Sequence, residues 1–150
     1  MGRAGESLLK DQIHWIKEDG TLDPFLAQGT LIEWLGIEFI EATKEKLVAK
    51  MPVDHRTQQP AGLLHGGASV ALAETVASIG SWLYVDPTTQ TAVGLEINAN
   101  HIRSVKEGFV TATATPIHVG RTIHVWDVRM VDDQNRLVCV SRCTVAVRQQ

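Results

Sequence analysis

A single long apolar segment in the middle of the chain most constrains how it can fold. Its spacing predicts a helix from Gly66 to Tyr84, because Leu72, Val76 and further apolar residues recur on one helical face. One carboxylate, Glu74, lies about two turns inside this helix among apolar and small neighbours. Burying a carboxylate costs free energy unless it is hydrogen-bonded, paired or used. Glu74 is therefore either a solvated residue at the helix edge or a functional group, and both interpretations stay open.

The surface of this helix predicts how it packs. Small residues such as Ala77 and Gly80 would allow a sheet to approach closely. Glu74, Ser78 and Ser81 are spaced so that they form a narrow polar stripe along the helix. We therefore expect the helix to be covered by a sheet, with this stripe as the part that handles polar groups.

The rest of the chain has the patterns of strands and short helices. Residues 11–18 and 23–35 predict short helices, the second opened by Asp23 and Pro24 and ended by Gly36. Alternation predicts a hairpin over 37–53 and strands over 93–105, 110–115, 122–131 and 137–147, with turns at 106–108 and 132–135. A long helix followed by an antiparallel meander indicates the α+β class. We divide the chain into an N-terminal extension, residues 1–30, and one folded domain, residues 31–150.

Charge and composition exclude several classes of protein. A net charge of -3 and a pI near 6.0 argue against a general nucleic-acid binder, which is usually basic. The most apolar window, 63–85, contains His65, Glu74 and three serines, which argues against a membrane span. No continuous apolar run follows Met1, so we expect no secretory signal and a cytoplasmic location.

The two cysteines predict neither a disulfide nor a metal site. Cys139 and Cys143 are four residues apart in a predicted strand, which separates them by about 13 Å, too far for a bridge. We expect them to pack as small apolar residues. No His and Cys residues have zinc-site spacing, so no metal is expected. The histidines without a predicted role, which we interpret as surface or packing residues, are His14, His55, His118 and His124.

The start of the long helix has features of an oxyanion site. His65, Gly66 and Gly67 form the transition from loop to helix, where glycine satisfies the backbone geometry. The first amides of a helix have no internal acceptor, and glycine lets a ligand approach them. These two interpretations are compatible, and a developing thioester oxyanion would suit such amides.

The distance between this helix start and Glu74 raises the question of a second chain. Gly66 and Glu74 are eight residues apart, or about 12 Å along one helix. One reacting carbonyl cannot lie about 3 Å from both groups. Either the two features are unrelated, or two copies of the helix run antiparallel across a twofold axis. The second alternative is a homodimer with two shared sites.

Several motifs in this sequence resemble those of a known family. Gln59-Pro60, then residues 62–67 (GLLHGG), Ala73-Glu74 and residues 93–103 (VGLEINANHIR) are similar to the acyl-CoA thioesterases of the hotdog fold. The PaaI-type and 4-hydroxybenzoyl-CoA thioesterases are the closer matches, above all the subgroup acting on 1,4-dihydroxy-2-naphthoyl-CoA and its relative that proofreads siderophore synthesis. The resemblance covers residues 30 to 148 and implies a long helix wrapped by a curved antiparallel sheet, in dimers that commonly pair into tetramers.

The resemblance also implies roles for residues of the helix and its preceding loop. Glu74 would be the catalytic carboxylate, which either attacks the thioester carbonyl or activates water. The Gly66 amide would bind the thioester oxygen, and Gln59 and His65 would orient or polarise the acyl thioester. Ser78 would place the hydrolytic water or hold the carboxylate, unless it is only a small residue at a packing surface.

Coenzyme A would need contacts to its phosphates. One candidate group is His101, Arg103 and Lys106, and the second is Gly120, Arg121 and Thr122, where backbone amides and a guanidinium meet. Each of these is otherwise a solvated surface residue. The family implies no cofactor apart from coenzyme A as part of the substrate.

The function expected from the resemblance is hydrolysis of an acyl-CoA, with an aromatic acyl group, by a homodimer or homotetramer. A thioesterase that clears acyl groups from a carrier protein is one alternative, and a non-catalytic acyl-CoA sensor is another. The position of Glu74 argues against a hotdog dehydratase, which would need a catalytic histidine. The first dozen residues are additional to the family pattern and would affect acyl selectivity if they covered the site.

Overall fold

The protein's structure, a computed structural model, describes Asp23 and residues 27–150. The predicted helix over 11–18 and Pro24 lie outside the described residues. The elements, in chain order, are α1 (Leu31–Trp34), β1 (Glu38–Ala42), β2 (Leu47–Pro52), α2 (Gly66–Trp82), β3 (Gln90–His101), β4 (Phe109–Val119), β5 (Ile123–Asp132) and β6 (Leu137–Gln149). The predicted long helix, the hairpin before it and the four strands after it are confirmed.

The helix predicted over 23–35 is shorter in the structure. Among its described residues, the α-helix covers only Leu31–Trp34. Gly29 has a φ of 72°, which a helix cannot accommodate, so the helix starts after this residue. Gly36, with a φ of 69°, follows the last turn as the pattern predicts.

The sheet has six antiparallel strands in the order β1-β2-β4-β5-β6-β3. The predicted meander is correct for β4, β5 and β6, but β3 pairs with β6 rather than with its neighbour in sequence, β4. The reason is that β2 occupies the free edge of β4, from Leu47 opposite Ala114 to Pro52 opposite Phe109. The backbone groups of β3 therefore pair at the other side of the sheet.

The core lies between α2 and the face of the sheet on which the helix packs. Alternate residues of β2, β4 and β5 are buried, as half-buried strands require. The fully buried side chains in contact with this core include Leu47, Met51, Leu72, Val76, Val110, Trp126 and Val145. This packing fixes the position of α2 on the sheet. The residues of α2 that do not face the sheet are free to line cavities.

The C-terminal half of α2 is a packing surface. Gly80 lies against the indole of Trp126, since a Cβ at Gly80 would be 2.7 Å from that ring. The Trp126 Nε1–H donates to Ser81 Oγ at 2.8 Å, and both side chains are buried. Ser81 therefore has a structural partner, which separates it from the other members of the predicted polar stripe.

The cysteines behave as predicted. Cys139 and Cys143 are free, and both are buried on β6. Burial raises the pKa of the Cys143 thiol to about 12, and the negative charges of Glu74 and Glu96 add to the effect. This thiol is therefore neutral and packs as an apolar group.

No helix in the described part of the chain is long and apolar enough to cross a membrane.

Candidate active site

The start of α2 is fixed by the loop that precedes it. His65 is the N-cap, with an extended backbone (φ −70°, ψ 130°), and its Nδ1 accepts from the Gly67 N–H at 2.8 Å. The His65 N–H donates to the Thr57 carbonyl at 2.8 Å, and the Leu64 N–H donates to the Val105 carbonyl at 2.8 Å. Because Nδ1 accepts, the proton of the neutral ring is on Nε2, which can donate to a ligand.

The amide of Gly66 is available at this helix start. Ala68 and Ser69 donate their N–H groups to the His65 carbonyl at 3.0 and 3.2 Å, and the Gly67 N–H is held by the His65 ring. Within residues 27–150, no acceptor receives the Gly66 N–H. Gly66 is half-buried, and a helix amide without an acceptor is suited to a developing oxyanion.

Gln59 lies in the same loop, which closes tightly on itself. Its N–H donates to the Leu63 carbonyl at 2.8 Å, and its own carbonyl accepts from the Gly62 N–H at 2.9 Å. Gly62 has a φ of 79°, which explains why the turn has glycine there. The side-chain oxygen of Gln59 accepts from the Ala61 N–H, so the amide nitrogen is the group that can donate to a ligand.

Glu74 lines a cavity beside the middle of α2. The cavity has a volume of about 320 Å³ and is lined by Leu31, Ile32, Ala71, Glu74, Thr75, Ser78 and Ile79. Ser78 therefore shares one cavity with Glu74, as their spacing predicts. The Thr75 hydroxyl is used within the helix, where it donates to the Ala71 carbonyl at 2.6 Å. The carboxylate is half-buried, in largely apolar surroundings.

The sequence did not indicate that Gly94 of β3 lies against the Glu74 carboxylate. A Cβ at Gly94 would be 2.5 Å from Glu74 Oε1, a distance that real Cβ atoms do not show. An isolated glycine inside a strand can indicate a bulge or a close approach, and this was the available signal. The walls Leu31 and Ile32 had no such signal, because they depend on where α1 lies relative to α2.

The structure places His101 at the helix start. The ring of His101 lies against Gly66, because a Cβ at Gly66 would be 2.8 Å from His101 Nε2. Arg103 and Lys106 follow in the exposed segment after β3, where the Arg103 N–H donates to the Val138 carbonyl at 3.2 Å. His101 is therefore adjacent to the candidate oxyanion amide.

A larger cavity, of about 650 Å³, lies between the segment 104–108 and the hairpin 132–136. Lys106 and Arg136 line it, but so do Glu107 and Asp133. Arg136 is already paired with Asp132 at 2.8 Å. The mixed charges do not single out this cavity as a phosphate site.

The second candidate group for coenzyme A lies at the opposite end of the molecule. Gly120, Arg121 and Thr122 connect β4 to β5, next to His124. The His124 ring is 5.7 Å from the ring of Tyr84, which follows the C-terminus of α2. One chain therefore does not bring this group together with His101, Arg103 and Lys106.

The geometry of α2 separates the two parts of the predicted catalytic site. Gly66 and Glu74 lie in the same continuous helix, Gly66–Trp82, so the separation of about 12 Å applies. One chain thus has an amide half-site at the helix start and a carboxylate half-site at the Glu74 cavity. Among the described residues, no group of His, Cys, Asp and Glu side chains is arranged to hold a metal ion.

Comparison with known proteins assigns this arrangement to a family. The family described as the Thioesterase superfamily matches residues 61–139, more than half of the 150 residues. The chain belongs to this superfamily, and its long helix packed on an antiparallel sheet is the hotdog fold. The resemblance seen in the motifs is confirmed.

Individual relatives support the same assignment. ComA2 of Bacillus subtilis (strain 168) is 64% identical over 118 residues, 79% of this chain and 94% of the relative. The 1,4-dihydroxy-2-naphthoyl-CoA hydrolase of Escherichia coli (strain K12) is 46% identical over 122 residues, 81% and 89% of the two chains. The crystal structure of a mutant thioesterase PA1618 from Pseudomonas aeruginosa aligns with a TM-score of 0.83 and 48% identity, covering 85% of this chain and 91% of that one. The protein is therefore a thioester hydrolase.

Proposed function

We propose that the protein hydrolyses an acyl-CoA with a compact, aromatic acyl group to the free acid and coenzyme A. The observation that carries this proposal is the Glu74 carboxylate in a largely apolar cavity next to Ser78. The similarity to a 1,4-dihydroxy-2-naphthoyl-CoA hydrolase supports an aromatic acyl group. The cavity volume of about 320 Å³ is at the lower end of the range of ligand sites, roughly 300–1,000 Å³, which favours a ring system over a long chain.

Two routes for the reaction are open to Glu74. As a general base it takes a proton from water while the water oxygen adds to the thioester carbonyl; the C–S bond then breaks, and the leaving sulfur of coenzyme A takes the proton back from Glu74. As a nucleophile its carboxylate oxygen adds to that carbonyl, the C–S bond breaks, and the leaving coenzyme A thiolate takes a proton from water; the resulting hydroxide cleaves the mixed anhydride to the free acid and the Glu74 carboxylate. In both routes negative charge develops on the thioester oxygen, which accepts from the Gly66 N–H. Gln59 and His65 orient the acyl thioester through the Gln59 amide nitrogen and His65 Nε2, and neither route needs a metal or a redox cofactor.

The two half-sites belong together across a homodimer. Antiparallel pairing of two α2 helices brings Glu74 of one chain opposite Gly66 of the other. The outer edge of β3 supports pairing, since among the described residues this strand pairs only with β6. Val93 and Leu95 on this strand are 49% and 54% exposed, and pairing of two β3 edges would cover them. Two such dimers pairing again would give the expected homotetramer.

The same pairing accounts for the separated groups proposed to bind coenzyme A. The β4–β5 hairpin with Gly120, Arg121 and Thr122 lies near the C-terminus of its own α2. In the antiparallel dimer it lies towards the start of the partner's helix. One coenzyme A would then contact His101 and Arg103 of one chain and Arg121 of the other.

Thiol release from a panel of acyl-CoAs tests the proposal. We expect turnover of aromatic acyl-CoAs above that of long-chain acyl-CoAs. Glu74→Ala should lower kcat by roughly 10²–10⁴-fold, the usual contribution of a positioned acid or base. Unchanged turnover in this variant would exclude Glu74 as the catalytic carboxylate. An acylated carrier protein belongs in the same panel, and a clear preference for it would favour the proofreading alternative.

A pair of defective chains tests whether the site is shared. Gly66→Pro removes the N–H, and proline is favoured at the first helical position after an extended residue such as His65. Gly66→Ala is the matched control, because it adds the same Cβ beside His101 but keeps the N–H. We expect Gly66→Pro to lower kcat by roughly 10²–10³-fold relative to Gly66→Ala.

Co-expression of the Gly66→Pro chain with the Glu74→Ala chain should restore activity. Roughly a quarter of wild-type activity is expected, because half of the randomly formed dimers are mixed and each mixed dimer has one intact site. Activity no greater than the average of the two parents would show that each site is built from one chain.

A further inference from the structure

The contact between Gly94 and Glu74 has a consequence for how the carboxylate is held. Gly94 faces α2 from the middle of β3, and a Cβ there would lie 2.5 Å from Oε1 and 3.5 Å from Cδ of Glu74. The carboxylate therefore occupies the space that any other residue at position 94 would fill with its side chain.

A β-bulge directly after Gly94 sets what else faces the helix. Gly94 is opposite Val145 and Glu96 is opposite Thr144, so Leu95 is an extra residue without a partner on β6. Before the bulge the residues that face inward are Ala92 and Gly94, and after it they are Ile97 and Ala99. The bulge therefore shifts the inward-facing positions by one residue.

The bulge also directs Glu96 away from Glu74. Without the extra residue, strict alternation after Gly94 would point Glu96 towards α2. Instead Glu96 is exposed, and its carboxylate accepts from Asn98 Nδ2 at 3.1 and 3.3 Å. A second carboxylate is thereby kept from the face of β3 that Gly94 turns towards Glu74.

We propose that Gly94 is a positioning residue for the thioesterase reaction: its missing side chain, at the edge of the bulge, holds the Glu74 carboxylate where it meets the substrate. This inference rests on the proposed catalytic role of Glu74. Gly94 itself touches no reacting atom, and it acts only through the position of the carboxylate.

The backbone allows the critical substitution to fold. Gly94 is not among the glycines with positive φ, so alanine can adopt its conformation. The atom that a new Cβ would meet is the far end of a flexible side chain rather than backbone. In Gly94→Ala we therefore expect Glu74 to swing aside by about 1 Å while the sheet stays intact, and a displacement of this size can lower a rate by about 10²-fold.

The experiment measures steady-state kinetics of full-length Gly94→Ala with an acyl-CoA turned over by the wild type. We expect kcat to fall by roughly 10–10²-fold with KM changed much less, because coenzyme A binding does not involve this contact. Thermal unfolding and the oligomeric state should match those of the wild type. Wild-type kcat in a folded Gly94→Ala protein would overturn the proposal.

A double-mutant cycle separates positioning from a structural effect. Glu74→Asp withdraws the carboxylate by one methylene, so the Cβ of Gly94→Ala no longer meets it. We expect Gly94→Ala to cost much less kcat in the Glu74→Asp background than in the wild type. Equal costs in both backgrounds would overturn the proposal and indicate a general effect on β3. Full activity of Glu74→Ala would instead refute the catalytic role of Glu74, so the two failures are distinguishable.

Discussion

Gly80 in α2 and Gly94 in β3 each leave space for another residue's side chain, yet they support different properties of the molecule. A Cβ at Gly80 would lie 2.7 Å from Trp126 Cη2, and one at Gly94 would lie 2.5 Å from Glu74 Oε1. The two clashes are similar in size. What differs is whether the neighbouring side chain can move.

Trp126 has no room to move. Its side chain is fully buried, and its Nε1–H donates to the buried Ser81 hydroxyl at 2.8 Å. Glu74, in contrast, is half-buried at the end of a flexible side chain that borders a cavity. The same sequence feature, a glycine facing another element, therefore lets Trp126 pack at one end of α2 and leaves the space that the Glu74 carboxylate occupies in its middle.

Substituting Gly80 tests its role in packing, and it should lower the free energy of unfolding more than substituting Gly94 does. Gly80→Ala forces the Trp126 ring out of place, and overpacking of this kind costs about 1–3 kcal/mol. Better helix propensity offsets about 1 kcal/mol of that cost. We expect a net loss of up to about 2 kcal/mol in the free energy of unfolding, measured in urea, with kcat little changed below the unfolding transition.

The Trp126→Phe background is the control for Gly80→Ala. The smaller ring leaves room for the new Cβ, so the substitution should become neutral or stabilising there. We propose that Gly80 affects stability and Gly94 affects kcat. This distinction is wrong if Gly80→Ala lowers kcat as strongly as Gly94→Ala does while leaving the free energy of unfolding unchanged.

The central helix was predictable because local rules and tertiary packing agree along it. Apolar residues recur at the helical period, and His65 and the glycines after it end the preceding loop. Glu74 and Gly66 could be selected as candidates from the sequence for the same reason, since each is unusual in its local setting. Their separation along one helix also needs no tertiary information.

Strand β3 shows where sequence alternation fails. Val93, Leu95, Ile97 and Ala99 alternate with polar residues, which on its own would place all four on one buried face. The bulge instead leaves Val93 and Leu95 exposed while Ile97 and Ala99 pack against the core. One extra residue reverses the facing of every residue after it, and Gly94 is the one local signal for where it occurs.

The contacts of the site depend on these tertiary details. That His101 lies on Gly66 and Gly94 on Glu74 follows from how β3 crosses beneath α2. The pairing of β3 with β6 rather than β4 is a long-range choice among strands with similar patterns. Sequence spacing therefore identified the candidate residues Gly66 and Glu74, while the contact between Gly94 and Glu74 required the folded structure.

The smallest expected effect is that of pH on the free energy of unfolding, through His124 near the C-terminus of α2. His124 is only 2% exposed, and within the described residues its Nδ1 has no hydrogen-bond partner. Burial lowers the pKa of His124 below its usual value of 6.5; a backbone hydrogen bond with Gly120 opposes this shift, and the charge of His118 adds to it. The Tyr84 ring lies 5.7 Å from the His124 ring, and the Lys44 ammonium lies 5.6 Å from the Tyr84 ring.

The direction of the pH effect follows from this shift. Because the folded pKa is depressed, the unfolded chain takes up the proton first as the pH falls. The stability contributed by neutral His124 is therefore fully present above about pH 6.5 and is lost as the pH falls through the folded pKa. His124→Phe should flatten the pH dependence of the free energy of unfolding between neutral and mildly acidic pH.

His55→Phe is the control, because the His55 side chain is 88% exposed, and should keep the wild-type slope. An unchanged slope in His124→Phe would show that the loss of stability in acid comes from other titrating groups, and that His124, near the C-terminal half of α2, does not contribute to it.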